Sequence, residues 1–272
     1  MKKVVLVTGA SSGIGKETAL QLIKEGHIVY GAARRIEKMK DIDNSGGHSL
    51  KMDVTIDEQL ISTVDRIIRE QGRIDVLVNN AGYAIYGAVE ETTIEDARRQ
   101  FEVNFFGLAR LTQLVLPHMR NQKSGKIINI SSMGGTIYTP FGAWYHATKH
   151  ALEGWSDCLR LETKQHGIAV VIVVPGIIKT EFGDVMSAPM MERSGSGPYA
   201  NIAKSMQSVT QNSYNSRGSS PASVISNVIS KAIRARKPKI RYVSGKLAKP
   251  MMFIRKYFGD RLFDLAVMSQ VK

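Results

Sequence analysis

The chain has 272 residues, 43% of them hydrophobic, with a formal net charge of +13 and one cysteine, Cys158. That length suits one large α/β domain or two small ones, and a single cysteine excludes an intramolecular disulfide framework. No Cys or His cluster has structural-zinc spacing, so a reducing, cytoplasmic setting is expected, with Cys158 a buried, inert thiol. The apolar run at residues 4–7 is too brief for a signal-peptide core. The run at 168–174 is too short to span a bilayer. Charge is uneven: residues 231–272 hold 12 Lys plus Arg against 2 acids, which leaves only +3 for residues 1–230. A near-neutral body with a basic end argues against a nucleic-acid interface and for a solvated face that attracts anionic ligands.

Short β-branched runs at residues 4–7, 28–30, 50–52, 75–78, 126–130, 168–174 and 240–243 alternate with helical stretches at 15–25, 58–70, 94–119 and 144–165. This alternation predicts an α/β fold over residues 1–245, a doubly wound sheet of seven parallel strands with helices on both faces. Right-handed crossovers then place the ligand loops outside the carboxyl ends of the strands. Residues 186–220, rich in Ser, Gly and Asn, read as a loop that forms a substrate lid. Residues 246–272 form a basic amphipathic extension packed on the same domain. Pro250 opens one helical segment of it and Asp260 another, in which Leu262, Phe263, Ala266 and Val267 share a face.

Directly after the first strand comes Thr8-Gly9-Ala10-Ser11-Ser12-Gly13-Ile14-Gly15, leading into a helix. Glycines there permit a tight turn and let backbone N–H groups approach a pyrophosphate at the helix N-terminus. After the second strand, Ala33 stands where an acid would hold the ribose hydroxyl of NAD, and Arg34 and Arg35 follow. Two guanidinium groups suit a 2′-phosphate, so NADP is expected in preference to NAD, with Arg34 the chief contact and Arg35 the better candidate for a solvated helix-start residue. Tyr145-His146-Ala147-Thr148-Lys149 places a phenol and an ammonium on one helical face, and Ser132 ends the strand thirteen residues before Tyr145. His146 and His150 share the i, i+4 spacing of a metal pair without the flanking acid such a site needs, and no metal is expected.

With Asn79-Asn80-Ala81-Gly82 after the fourth strand, Asn104 in Val103-Asn104-Phe105, and Pro175-Gly176 with Thr180 after the sixth, the chain resembles the short-chain dehydrogenase/reductase family over roughly residues 3–245. The resemblance implies a Rossmann-type sheet, a nicotinamide cofactor and an oxidoreductase acting on CH–OH and C=O groups. It implies Tyr145 as general acid/base, Ser132 on the substrate oxygen, Lys149 on the nicotinamide ribose, and Asn104 anchoring a water in a proton relay behind Lys149. For the cofactor it implies Gly9, Ser11, Ser12, Gly13, Ile14 and Gly15 at the pyrophosphate, and Arg34, flanked by Arg35, at the 2′-phosphate. Asp53 and Val54 would face the adenine, Asn80, Ala81 and Gly82 would line the adenosine side, and Ile178 and Thr180, after Pro175 and Gly176, would meet the carboxamide. Bringing a phenol from a pKa of about 10 to near 7 takes about 4 kcal/mol, which one ammonium at about 4 Å supplies at an effective dielectric near 20. Lys149 is therefore expected to lower the Tyr145 pKa.

Tyr86, Met133, Tyr138, Phe141, Trp144, Phe182 and Met186 fall on loops near the expected nicotinamide and suit a large apolar carbonyl or alcohol. The long lid and the extension look similar to the steroid and retinoid dehydrogenase branch of the family. Arg255, Lys256 and Arg261 beside residues 251–254 offer peripheral contact with an anionic membrane. The resemblance also implies a homodimer or homotetramer packed through the helices that carry Asn104 and Tyr145. Two other functions fit the same motifs: reduction of acyl thioesters or other small carbonyls, and non-catalytic sensing of a nicotinamide nucleotide.

Overall fold

A computed structural model describes residues 2–214 and 218–271 of the chain. Lys272 and the part of the expected lid at residues 215–217 lie outside the described residues. Seven strands, β1 (Val4–Thr8), β2 (Ile28–Ala33), β3 (His48–Lys51), β4 (Val76–Asn79), β5 (Gly125–Ile130), β6 (Ile168–Pro175) and β7 (Arg241–Ser244), form one sheet in the order β3-β2-β1-β4-β5-β6-β7. Every pairing is parallel. The expected α/β fold is the observed one, a Rossmann-type doubly wound sheet.

Burial on both faces explains why the inner strands read as continuous apolar runs: all five residues of β1 are buried. Their side chains alternate between two cores. Val5 and Val7 pack with Ala19 and Leu22 of α1 (Gly13–Lys24), Ile42 of the short α2 (Lys40–Asn44), and residues of a helix at Ser223–Arg234. Val4 and Leu6 face the other way, onto Leu60, Val64 and Ile67 of α3 (Asp57–Gln71), and onto Leu111, Val115 and Leu159 of helices that follow β4 and β5.

The single helix expected over 94–119 is α4 (Ile94–Phe101), a π turn at Glu102–Phe106, and α5 (Gly107–Asn121). The π turn carries Asn104, fully buried, and interruptions of this kind concentrate at functional sites. The helix after β5, α6 (Ala143–Thr163), turns Tyr145, Lys149, Leu152 and Ser156 inward. Cys158 lies off that face and is exposed, contrary to the expectation of a buried thiol.

Residues 186–220 are not chiefly loop. They continue α7 (Phe182–Ser194), which begins just before them, and contain α8 (Ala200–Tyr214). Ser, Asn and Gly are weak helix formers, and α7 has no regular apolar stripe. Tertiary burial of Met190, Ala203 and Met206 outweighs those propensities. After α9 (Ser223–Arg234) and β7 comes α10 (Ala248–Met268), broken at Gly259, whose φ of 75° splits it into the two expected segments. In the second segment Phe263 and Val267 are buried, but Leu262 is exposed and does not share their face.

Where α5 leaves the π turn it passes close under the loop after β3: a Cβ on Gly107 would lie 2.4 Å from the Val54 carbonyl oxygen. Gly107→Ala should therefore cost about 1–3 kcal/mol by overpacking and lower the Tm by several degrees, and a thermal melt at or above the wild-type Tm would contradict the close packing.

Candidate active site

The strand order reverses between β1 and β4, and the loops leaving those two strands open a crevice at the carboxyl edge of the sheet. Thr8 ties them together: its hydroxyl accepts from the backbone N–H of Asn80 and of Ala81, each at 3.0 Å. Asn80 Nδ2 donates in return to the Thr8 carbonyl at 2.9 Å. Gly9 turns at φ +69°, and a Cβ there would lie 2.8 Å from Asn80 Nδ2 and 2.9 Å from Ala81 Cα. A Cβ on Gly15 would lie 2.4 Å from the Gly9 oxygen. Only glycine lets the two loops and the start of α1 approach this closely. Ser12 enters α1 extended, with no side-chain capping bond and no acid in the first turn, so the helix offers its N–H groups and positive end to an anion.

The cavity above this turn has a volume of about 380 Å³. Gly9, Ser11, Ser12, Gly13 and Ile14 line its floor, with Asn80, Ala81 and Gly82 beside them. Asp53, Val54, Arg34 and Arg35 line one end, and Ser132, Tyr145 and Lys149 the other, where Pro175, Gly176, Ile178 and Thr180 close the side. Of the catalytic and cofactor residues picked from the sequence, Gly15 and Asn104 alone do not line it. A long cavity with an uncapped helix N-terminus at its middle and cations at both ends fits a dinucleotide bearing phosphates.

At the Arg34 end, Arg34 Nη1 stands 4.0 Å from Asp53 Oδ2 and the side chain is mostly exposed. Asp53 has a second task, because its Oδ1 accepts from Thr55 N at 3.0 Å and Thr55 Oγ1 at 2.9 Å and so fixes the turn before α3. Arg35 is not the solvated helix-start residue expected. It donates to Ser12 Oγ at 3.2 Å and pairs with Glu181 Oε2 at 3.1 Å, while Lys38 reaches Glu181 Oε1 at 3.4 Å. Two cations thus lead from the glycine turn to the residue that opens α7, and the Arg35 hydrogen bond holds the Glu181 carboxyl below its usual range.

At the other end, Tyr145 is buried, and burial raises its phenol above the ordinary value despite the opposing pull of Ser132. Among the protein's own groups the shift therefore runs opposite to the lowering expected of Lys149. The Lys149 ammonium lies 6.0 Å from the phenol ring centroid, and loss of hydration is the largest influence on the phenol. Lys149 donates to the Ile130 carbonyl at 2.9 Å, and burial lowers its pKa to about 8 against the raising effect of Glu153. Ser132 Oγ accepts from Gly134 N at 3.0 Å, which fixes the loop after β5.

Asn104 does not reach the cavity. Its Oδ1 accepts from Tyr83 N at 3.0 Å, and its Nδ2 donates to Tyr83 O at 2.9 Å and Thr148 Oγ1 at 3.3 Å. The side chain thereby clamps the loop after β4 to α6. His146 is committed to backbone: Nδ1 donates to the Gly134 carbonyl at 3.0 Å and Nε2 accepts from Thr139 N at 3.1 Å. Burial pushes it down to about 4, so it stays neutral. His150 Nδ1 in turn bonds the His146 carbonyl at 2.9 Å, so each ring is held by backbone rather than turned toward a shared ligand.

Four of the seven apolar residues expected near the nicotinamide, Tyr86, Phe141, Phe182 and Met186, cluster with Tyr145. Met133 and Tyr138 pack instead on α10, and Trp144 joins neither group. Sequence reasoning missed Tyr83, Glu181 and Tyr214, which also line the cavity. Tyr214 stacks on Phe182 at 6.4 Å, and Phe182 lies 5.6 Å from Tyr145. The available signal was a single aromatic residue in the polar run 208–216.

Two stability tests follow from the buried bases. The folded pKa of Lys149 is depressed below 10.5, so burial of the charged form opposes folding at neutral pH by on the order of 3 kcal/mol. Lys149→Met should raise the Tm at pH 7 while abolishing function, and a lower Tm would refute this. For His146, depressed from 6.5 to about 4, the unfolded chain binds more protons within that window. Stability should fall as pH drops from 6.5 to about 4, and a denaturant titration of His146→Gln should show a shallower acid slope.

Comparison with known proteins agrees with this geometry. A family model described as short chain dehydrogenase matches residues 3–190. A 3-ketodihydrosphingosine reductase of Bacteroides thetaiotaomicron is 46% identical over 183 residues, 67% of this chain and 66% of that protein. The chain thus matches just under two thirds of that relative's length. An NADPH-dependent 3-dehydrocapnine reductase of Ornithobacterium rhinotracheale is 32% identical over 285 aligned positions, covering 99% of this chain and 98% of the other. The crystal structure of a short-chain dehydrogenase from Streptomyces avermitilis superposes with a TM-score of 0.80 at 34% identity, over 93% of this chain and 92% of that one. The matched family region contains the glycine turn, Ser132, Tyr145 and Lys149, and the chain belongs to the short-chain dehydrogenase/reductase family of oxidoreductases.

Proposed function

We propose that the protein is an NADP(H)-dependent oxidoreductase that interconverts a carbonyl and an alcohol on a lipophilic substrate, working toward reduction. The observation that carries this reading is the position of Tyr145, which lines the dinucleotide-sized cavity and also belongs to the apolar cluster of Tyr86, Phe141 and Met186. A buried phenol whose pKa is raised stays protonated at neutral pH, and the protonated form is the one that donates to a carbonyl oxygen.

Each residue's part follows from its place. The uncapped start of α1 and the Gly9–Gly15 turn hold the pyrophosphate. Ala33 offers no carboxylate to a ribose hydroxyl, and Arg34 and Arg35 offer charge-assisted bonds to a 2′-phosphate. The name of the NADPH-dependent relative supports that preference. Lys149 holds the nicotinamide ribose. When bound, the reduced nicotinamide supplies the hydride that adds to the carbonyl carbon. Tyr145 gives its phenolic proton to the carbonyl oxygen as the new C–H bond forms, and Ser132 donates a hydrogen bond to the same oxygen. Helices α7 and α8 act as the substrate lid, with Phe182 and Tyr214 above the phenol. The names of two relatives, reductases of a 3-keto and a 3-dehydro compound, support a ketone as the group reduced. The single cysteine supports a cytoplasmic setting. The exposed Phe106 and Leu161, at the π turn and on α6, support association through those helices as a dimer or tetramer.

The test is consumption of NADPH, with NADH alongside, on steroid, retinoid, aliphatic and acyl-thioester carbonyls. Tyr145→Phe should lower kcat by about 10²- to 10⁴-fold with NADPH binding retained. Arg34→Ala with Arg35→Ala should raise the KM for NADPH by roughly 10- to 100-fold and leave that for NADH nearly unchanged. Turnover confined to acyl thioesters would refute the substrate class, and tight NADPH binding with no turnover would favour a nucleotide sensor.

A further inference from the structure

Helix α10 presents outward what a globular surface ordinarily hides. Phe253, Tyr257 and Phe258 are 54%, 63% and 57% exposed. They pack on one another, Phe253 to Tyr257 at 4.7 Å and Phe253 to Phe258 at 6.0 Å between ring centroids. Beyond the break at Gly259, Leu262, Leu265 and Met268 are also exposed. Six large apolar side chains on 21 helical residues make a patch of the kind that marks an interaction site. Of residues 251–254, singled out from the sequence beside Arg255, Lys256 and Arg261, Phe253 belongs to the exposed patch, while Met251, Met252 and Ile254 pack inward with Ile137, Phe263 and Val267.

The surroundings of the patch say what covers it. Lys249, Lys256 and Arg261 are exposed, and none forms a salt bridge among the described residues. Arg255 does not join them, because it pairs with Asp260 and lies over the Tyr138 ring at 5.2 Å. The other acid of the segment, Asp264, accepts from the Tyr138 hydroxyl at 2.8 Å. Both acids are therefore engaged, Asp260 within α10 and Asp264 with the protein body, and residues 231–272 carry a net +10. A groove of about 570 Å³ beside Phe253 is lined by Lys249 and Lys256. Aromatic rings flanked by cations free of acidic partners among the described residues, Lys256 lying 5.3 Å over the Tyr257 ring, match a bilayer interface, where rings enter the headgroup region and cations meet lipid phosphates. A second copy of this chain would bring the same cations against themselves.

From this juxtaposition we infer that α10 is an interfacial anchor that docks the protein on a membrane containing anionic lipid. It adheres without spanning, since no helix among the described residues is long and apolar enough to cross a membrane. Docking also orients the site. The inner face of α10 packs on Met133 and Ile137, just after Ser132, and Val271, beyond its end, joins the apolar cluster around Tyr145. The substrate end of the crevice is thereby tied to the element that meets the lipid. The inference stands apart from the proposed activity, because adhesion requires no turnover.

The experiment is co-sedimentation of the full chain with vesicles of phosphatidylcholine alone and of phosphatidylcholine mixed with phosphatidylglycerol, beside sedimentation velocity without lipid. Binding should be stronger to the anionic vesicles by at least about tenfold and should weaken as salt is raised. Phe253→Ser with Tyr257→Ser and Phe258→Ser should lower it by about tenfold or more at unchanged Tm. Lys249→Gln with Lys256→Gln and Arg261→Gln should abolish the preference for anionic vesicles. No binding to anionic vesicles, undiminished binding by the aromatic variant, or self-association of the wild type that this variant loses would each overturn the inference.

Discussion

The constraint on which the rest of the site depends is the burial of the Lys149 ammonium. Its one direct partner given by the structure is the Ile130 carbonyl, and no carboxylate lies within ion-pair distance among the described residues. Glu153, the nearest acid on the same helix, gives Oε2 to Arg241 at 2.9 Å. An ammonium kept from both water and a counter-ion costs stability. That cost makes sense if the cavity is completed by a ligand whose ribose hydroxyls or phosphates replace the lost hydration. The uncapped start of α1 makes the same demand at the centre of the cavity, with N–H groups that wait for an acceptor. Cation and helix terminus are set in advance for an anionic, hydroxyl-rich ligand, which is the electrostatic form of preorganisation.

Holding Ser132, Tyr145 and Lys149 in register requires β5 and α6 not to slide, and a buried polar chain beneath the site prevents it. Asn79, at the end of β4, donates to Thr112 Oγ1 at 3.0 Å and Asn129 Oδ1 at 2.9 Å. Asn129, on β5, donates to Ser156 Oγ on α6 at 2.8 Å. All four residues are buried. A break anywhere in such a chain strands a polar group in low dielectric, so the network specifies one packing of α5 and α6 on the sheet. Above it, Asn104 links the loop after β4 to Thr148 on α6, and His146 links α6 to the loop after Ser132. Tyr145 and Lys149 thus sit on a helix pinned from three directions.

The fold was legible because a parallel sheet buried on both faces leaves unmistakable runs, such as residues 4–7 and 168–174, and because Gly9 and Gly15 stand where no side chain fits. The composition of the site was legible for the same reason: backbone geometry forces residue identity at the turn, and chemistry forces it at Tyr145 and Lys149. What stayed hidden depends on long-range partners. The helices α7 and α8 owe their existence to the burial of Met190 and Met206 rather than to local propensity. The engagement of Arg35 with Ser12 and Glu181 joins residues 146 positions apart, and sequence spacing cannot reveal it. The direction of the Tyr145 shift set by the protein's own groups depends on how far the phenol is desolvated, and the i, i+4 spacing to Lys149 carries no information on that.

Two apolar clusters, one on each side of the loop after Ser132, join the site to the periphery of the molecule. The first holds Tyr145, Phe182, Met186 and Met206 and brings α7 and α8 onto the Tyr145 phenol. The second holds Ile137, Phe263 and Val267 and brings in α10. Val271 belongs to the first cluster although it follows the helix that builds the second, so the end of α10 reaches the lid side of the crevice. Methionine and aromatic side chains dominate the first cluster, and such side chains repack at low cost when a bulky apolar ligand displaces them. The proposed lid and the proposed anchor therefore share one deformable apolar seam. A displacement of α7 must be accommodated at Tyr86 and Phe141, and through Val271 at the end of α10, so on the proposed function the cluster that would admit a lipophilic substrate is coupled to the helix proposed to meet the lipid.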